Sequence, residues 1–521
     1  MKRKGFTLIE LLAVIVILAI IALIATPIVL DIIEDSKNSS IKRSAELYLD
    51  AVEQAIATSA MNDGLEDGTY IIDSKGNLKY KDKTIKVNIK NYNFESGTIT
   101  IEQGQIKNIK LSNNEKVTTG KELNKIDKWD GKTIKEVTAD SNGIYHITKA
   151  SELAWVAQQV NSGEPFEGKT ISLDTSLDLG GRYDKDGKKL GTEWIPIGTK
   201  KSADELFPFK GIFEGNNNII SGIYINKLLE DSNENKNLGL FGHTNSATIS
   251  NLIIKDSYIQ GYSSIGIICG SPENKSVIAN ILMSDITINA LKSAGIGVGA
   301  TDTQANLFDL YSYNSKIYGN GKYIGGVVGS LRSSGIGKNL YSNAVINNSS
   351  NEVCTGGIVG GIIEGSWADN LVSESTIKGN IGLGGIVGQF QGGSKLTNSV
   401  SYADVLGNDK LGGVIGVVSG YSGDNTIENI KSYAKINGNG EYVGGIIGVL
   451  SQGNNYLTNI YSKSKVKGKD KVGGIIGGFT INYATTLNYK SVISESTIEG
   501  ETNKGELWGY IDSTSTINKM D

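Results

Sequence analysis

One carboxylate, Glu10, stands at the start of an otherwise uncharged run from Leu11 to Leu30. A carboxylate in or beside a membrane-length apolar segment is costly to dehydrate and is expected to be paired with a cation. Gly163-Glu-Pro-Phe-Glu-Gly168-Lys169-Thr170 matches the spacing of a phosphate-cradling loop. Such a loop follows a strand and opens a helix, so that backbone N–H groups point at the phosphate. Here a helical pattern comes first, Ile171–Asp174 reads as a strand, and Glu164 and Glu167 would repel phosphate. Nucleotide binding is rejected. Asp184-Lys185-Asp186-Gly187, with Glu193 beyond it, begins like a calcium loop but lacks the full ligand pattern, so a polar hairpin turn is expected. His146 and His243 are isolated, and no H-E-x-x-H string occurs. Two cysteines and two histidines cannot build a multi-ligand Cys/His zinc site or a disulfide-rich scaffold. No catalytic, cofactor or metal-binding residue is assigned.

The N-terminus gives Glu10 a context. Met1-Lys-Arg-Lys-Gly5 is a short basic leader, and its cations predict that it stays cytoplasmic. The twenty residues Leu11–Leu30 match a bilayer core of about 30 Å at helical rise. An ordinary secretory signal ends its apolar region with a small-residue cleavage site, whereas here Gly5 precedes that region. The string Gly5-Phe6-Thr-Leu-Ile-Glu10-Leu-Leu resembles the prepilin signature of type IV pilins and type II secretion pseudopilins. The resemblance implies cleavage after Gly5 by a prepilin peptidase and N-methylation of Phe6. It also implies a filament-assembly role for Glu10, which would neutralise the terminal amine of a neighbouring subunit. Other pilin subunits and the pilus assembly platform are then the expected partners. The protein would sit in the cytoplasmic membrane by one pass before assembly and on the extracellular pilus afterwards.

Pro27 is expected to kink this helix. Ile41, Ala45, Tyr48, Val52 and Ile56 recur at helical spacing, so a long helix is expected over residues 6–60. Alternating segments Thr69–Ile72, Thr84–Ile89, Thr98–Glu102 and Ile106–Leu111 predict a small antiparallel sheet, with a hairpin near Gln103-Gly104. Residues 61–116 would form this pilin-like head and residues 117–140 a linker.

From residue 239 onward one pattern returns nine times. Its strongest copies run from Gly325-Gly-Val-Val-Gly329 to Gly473-Gly-Ile-Ile-Gly477, and weaker copies end at Gly242, Gly270 and Gly299. The closing glycines lie 28 to 32 residues apart, a period that implies a stacked array. Second halves such as Asn370-Leu-Val-Ser-Glu-Ser-Thr-Ile377 and Asn459-Ile-Tyr-Ser-Lys-Ser-Lys-Val466 alternate apolar and polar residues. Two or three short strands per repeat, stacked as parallel ladders, give a β-solenoid of about nine coils. Glycine pairs suit bends or close backbone approach, and the recurrent Asn suits either a side-chain ladder or a turn. Cys269 and Cys354, three coils apart, are expected to be unpaired. These repeats resemble the GLUG family of bacterial surface proteins, over residues 239–510 with cap and first coils at 141–238. Lys149–Val160 reads as a helix capping the first coil. The tail, residues 511–521, shows no wall-sorting motif, so surface retention would fall to the N-terminal helix.

The expected fold is therefore mainly β: a long N-terminal helix with a small sheet, then a parallel solenoid. The net charge of −4 is well mixed and shows no nucleic-acid signal. A minor or tip-associated type IV pilin displaying the solenoid for adhesion to an extracellular glycan or protein is the preferred reading. A secretion pseudopilin is one alternative. A surface polysaccharide-degrading enzyme is another, for which Asp174, Asp178 and Glu214 would have to converge; turn or surface hydrogen bonding is their expected role. Of the numerous tyrosines, including Tyr311, Tyr313, Tyr323, Tyr402 and Tyr442, exposed members could stack on sugars and many are expected to pack between coils.

Overall fold

A computed structural model describes most residues from 65 to 521, apart from short breaks, together with single helical positions between 44 and 59. Gly5, Phe6, Glu10 and the apolar run Leu11–Leu30 lie outside the described residues, as does most of the expected long helix. Among the described residues no helix is long and apolar enough to cross a membrane. The chain divides into two compact units, residues 1–126 and 127–521.

In the first unit, strands Gly68–Ile72, Leu78–Tyr80, Lys83–Ile85, Ser96–Glu102, Gln105–Ser112, Lys116–Thr119 and Glu122–Lys125 form one antiparallel sheet. The pairing of Ser96–Glu102 with Gln105–Ser112 reaches Glu102↔Gln105, so the connection falls at the expected hairpin. Ala45, Tyr48, Val52 and Ile56 are helical and buried in one apolar cluster with Tyr70, Ile72, Leu78, Ile99, Ile101 and Leu111. Each fully buried aliphatic side chain here contributes about 1.5–3 kcal/mol. Tyr48 donates its hydroxyl hydrogen to the Gly76 carbonyl at 2.8 Å, which satisfies the polar end of a buried ring. The stretch read as a linker carries the last two strands of this sheet, and Asp127–Lys128 already pairs with Leu177–Asp178 in the second unit.

The second unit is a parallel β-solenoid of about twelve turns. One representative turn contains Trp367–Ser373, Thr376–Gly379, Ile381–Gly384 and Val387–Gln391: four short strands rather than two or three. Each pairs in parallel with its counterpart in the next turn, as in Leu371↔Leu340, Ile377↔Ile346, Leu383↔Leu411 and Val387↔Ile415. These residues are buried, so like side chains stack along a continuous apolar interior. The nine-repeat reading is short of the observed turns because the glycine motif fades at both ends of the array. Earlier rungs at Ile144–Ile147, Thr170–Leu173 and Ile212–Ser221 lack the motif. A tenth corner, Gly505-Glu-Leu-Trp-Gly509, replaces its second glycine and its branched residue, yet pairs in register with Gly473 and Ile476. Helix Ala150–Asn161 buries Leu153, Val156, Ala157 and Val160 in the same core as the first turns. Glu152 accepts from the Thr148 and Lys149 backbone N–H groups at 2.7 and 3.0 Å, satisfying donors at the start of the helix.

The motif glycines answer to crowding. At Gly384-Gly-Ile-Val-Gly388 none of the three glycines has a left-handed φ. A Cβ on Gly384 would overlap the Val387 carbonyl oxygen. On Gly385 it would overlap the Gly413 carbonyl of the next turn and Ser401 Oγ, and on Gly388 the backbone of Cys354. Buried serines line this corner: Ser375 Oγ donates to the Gly357 carbonyl at 3.0 Å, and Ser432 and Ser464 hydroxyls meet at 2.8 Å. The recurrent asparagine does both jobs expected of it. Asn370, Asn398, Asn429 and Asn459 have φ of 51–57° and turn the chain. Their amides also form a ladder, with Asn429 donating to Asn398 at 3.0 Å and Asn459 to Asn429 at 2.9 Å. Cys269 and Cys354 are free and buried.

Gly385→Ala is expected to lower the stability of the solenoid by about 1–3 kcal/mol, as overpacking does. Gly337→Ala, where a Cβ would meet only leucine methyl groups at 3.3 and 3.4 Å, should leave it within about 1 kcal/mol. Urea midpoints of the two variants test the assignment.

Candidate functional site

The carboxylates that an enzymatic reading requires are engaged in separate structural tasks. Asp174 accepts from Ser172 Oγ at 2.8 Å and pairs with His146 Nδ1 at 2.7 Å. Asp178 is buried, binds Arg182 through both oxygens at 3.0 and 2.6 Å, and accepts from the Gly180 N–H at 2.8 Å. Glu214 accepts from Ser250 at 3.1 Å and from Asn251 at 2.9 Å. The three thus tie neighbouring strands and turns together. Among the described residues, no group of three His, Cys, Asp or Glu side chains is arranged to hold a metal ion. The loop Gly163–Thr170 leads from a helix into a strand, and its Lys169 pairs with Glu164 at 3.2 Å. Asp184 accepts from the Asp186 and Lys188 N–H groups, so the calcium-like string is a hairpin turn. Burial pushes the Cys269 thiol up to about 12 and raises that of Cys354 as well; both are poor nucleophiles.

The segment between Leu179 and Lys210 departs from regularity: two hairpins leave the turn, while Trp194, Ile197 and Phe209 stay in the core and Ile197 and Phe209 bridge in parallel to Phe241 and Thr244. Its first hairpin, with Tyr183 bridged to Lys189, stacks Tyr183 on Tyr258 and Tyr224 at centroid distances of 5.0 and 6.4 Å. Its second, Thr199–Lys200 with Leu206–Phe207, is anchored by Lys200. The Lys200 ammonium reaches Glu273 at 2.7 Å and Asp302 at 3.3 Å, while the buried His243 lies 3.4 Å from Glu273. Burial raises the Glu273 carboxyl, but the neighbouring His243 ring and the hydrogen bond from Lys200 outweigh it and hold the group down to about 2.

Two concavities flank the insertion. The larger, about 890 Å³, is lined by Asp130, Lys189, Glu193, Trp194, Ile195 and Lys227, among others. Three of its lysines are paired locally, Lys189 and Lys227 with Glu193 and Lys236 with Asp231. The smaller, about 370 Å³, is lined by Tyr183, Asp184, Gly187, Tyr258, Asp285, Thr287, Asn314, Lys316 and Tyr318. Sequence reasoning did not find this second group. Its floor is assembled by register, Tyr258↔Thr287↔Lys316 and Gln260↔Asn289↔Tyr318, across turns whose motifs are weak. Of the tyrosines noticed from sequence, Tyr311 and Tyr313 are buried, whereas Tyr402 is half exposed and stacked on Tyr433.

The first 26 residues match the family described as the prokaryotic N-terminal methylation motif. A pilin-like signal on a β-solenoid fits a pilin-type surface protein. No curated protein and no solved structure matches the chain. The match stops at residue 26 and does not reach the repeats.

Two pH effects of opposite sign follow. Hydrogen bonds to Asp174 and Asp140 raise the His146 pKa above 6.5. Its stabilisation is complete below the unfolded value and is lost as pH rises through the folded one. Glu273 is depressed, so its stabilisation is complete above about 4.5 and is lost as pH falls towards about 2. NMR titration should place the His146 pKa above that of an Asp174→Asn variant. Acid unfolding of Glu273→Gln should depend less on pH below about 4.5 than that of the parent.

Proposed function

We propose that this protein is a minor or tip-associated type IV pilin that carries a β-solenoid outside the cell for adhesion. The match of residues 1–26 to the methylation motif carries this reading. In it, prepilin peptidase cuts after Gly5, Phe6 is methylated, and Leu11–Leu30 anchors the subunit in the cytoplasmic membrane. Once the assembly platform extracts the subunit, Glu10 pairs with the terminal amine of a neighbour, because a carboxylate in an apolar bundle needs a counter-charge. The bulk of the solenoid supports a minor position, since twelve turns at about 4.8 Å extend roughly 58 Å. A copy on every subunit would crowd the filament surface. The engagement of Asp174, Asp178 and Glu214 in structural hydrogen bonds supports binding rather than turnover as the task of the solenoid.

Mass spectrometry of the cell-surface protein should find a chain beginning at N-methylated Phe6. Immunogold labelling should decorate filaments or their ends, and Glu10→Ala should abolish that labelling while the protein remains in the membrane. Membrane labelling without filaments in the parent strain would sink the pilus assignment.

A further inference from the structure

The smaller groove is a step on the outer surface of the solenoid. The Tyr183 hairpin lies across the first turns, where Tyr224 and Tyr258 are buried beneath it. Beside it, residues of the following turns complete the groove. The wall is thus Tyr183, Asp184 and Gly187, and the floor is Thr287, Lys316 and Tyr318, with Asp285 and Asn314 at the corner. Its volume of about 370 Å³ suits a small ligand and is far too small for a folded partner.

On neighbouring turns several side-chain amides are taken up by the turn above or below. Gln260 donates to Asn226 at 2.8 Å and Asn289 to Gln260 at 3.0 Å, and the asparagine ladder repeats the device. The groove residues are not taken up in this way. Tyr318 is 44% exposed, and neither its hydroxyl, the Lys316 ammonium nor the Asn314 side-chain amide has a partner among the described residues. A flat ring beside unspent donors and a carboxylate is the chemistry that recognises a sugar. The ring covers C–H groups, while amide, ammonium and carboxylate exchange hydrogen bonds with hydroxyls. Two carboxylates, Asp184 and Asp285, face the single cation Lys316, a balance that disfavours polyanions.

We propose that the groove between the Tyr183 hairpin and Tyr318 binds a neutral oligosaccharide. This rests on the adhesion reading and gives it a ligand class. The full chain in detergent, applied to immobilised neutral hexose and N-acetylhexosamine oligosaccharides beside sialylated and sulfated ones, should be retained by neutral members. Tyr318→Ala should weaken that binding by about ten-fold or more, and Tyr318→Trp should preserve it. Tyr402→Ala, which removes an exposed ring elsewhere, should leave it unchanged. Unaltered melting of each variant by circular dichroism shows that the fold is intact. Retention only by acidic glycans, no retention by any neutral one, or neutral binding indifferent to Tyr318→Ala each overturns the proposal. Adherence of piliated cells separates the two levels. Adherence that survives Tyr318→Ala sinks the groove and leaves the adhesion reading standing, whereas piliated cells that adhere to nothing sink both.

Discussion

Turn-to-turn backbone pairing at the interval of a parallel ladder is the constraint on which the solenoid depends. Every turn must present its N–H and C=O groups in register with the next, because an unpaired buried amide is expensive. Four bends per turn must then be made without prising adjacent turns apart. At the Gly384–Gly388 corner the backbone of one turn lies so close to that of the next that no β-carbon fits on Gly384, Gly385 or Gly388. The buried serines fill the small remaining space and return hydrogen bonds to carbonyls and to one another. Inside, aliphatic residues need only repeat in size, since each stacks on its equivalent one turn away.

The same constraint leaves the outer surface free to vary. Outward positions contact mainly their counterparts above and below, so a substitution or insertion there costs little in the interior. The segment from Leu179 to Lys210 uses that freedom. It is fastened at one side by the Arg182–Asp178 pair and the tyrosine stack, and at the other by Lys200 between Glu273 and Asp302. Fastened in this way, the insertion makes concavities on an otherwise flat surface. The concavities therefore sit beside the irregular turns near the N-terminal end of the array, and the uniform later turns supply length.

Much of the architecture was legible in sequence because it is periodic. Apolar alternation in Asn370–Ile377 and its relatives exposed strands, and the spacing of closing glycines exposed the stacking. Turns were undercounted where the corner signal faded: the first rungs lack the full glycine motif, and Gly505–Gly509 substitutes Glu506 and Trp508. Leu78–Tyr80 and Glu122–Lys125 went unread because short strands carry too few residues to display a period.

By itself, the sequence determined the N-terminal methylation motif of residues 1–26, the repeat and its strand content, and the isolation of both cysteines. Each depends on residues close in the chain or on a period that counting reveals. Tertiary structure alone decided which outward residues meet. Tyr183 reaches Tyr258, and Lys316 and Tyr318 join Asp285, because register and an insertion bring together residues about thirty positions or more apart. It also decided what Asp174, Asp178 and Glu214 do, since a carboxylate's role is set by the donors around it, and those donors come from neighbouring turns and bends of the folded chain.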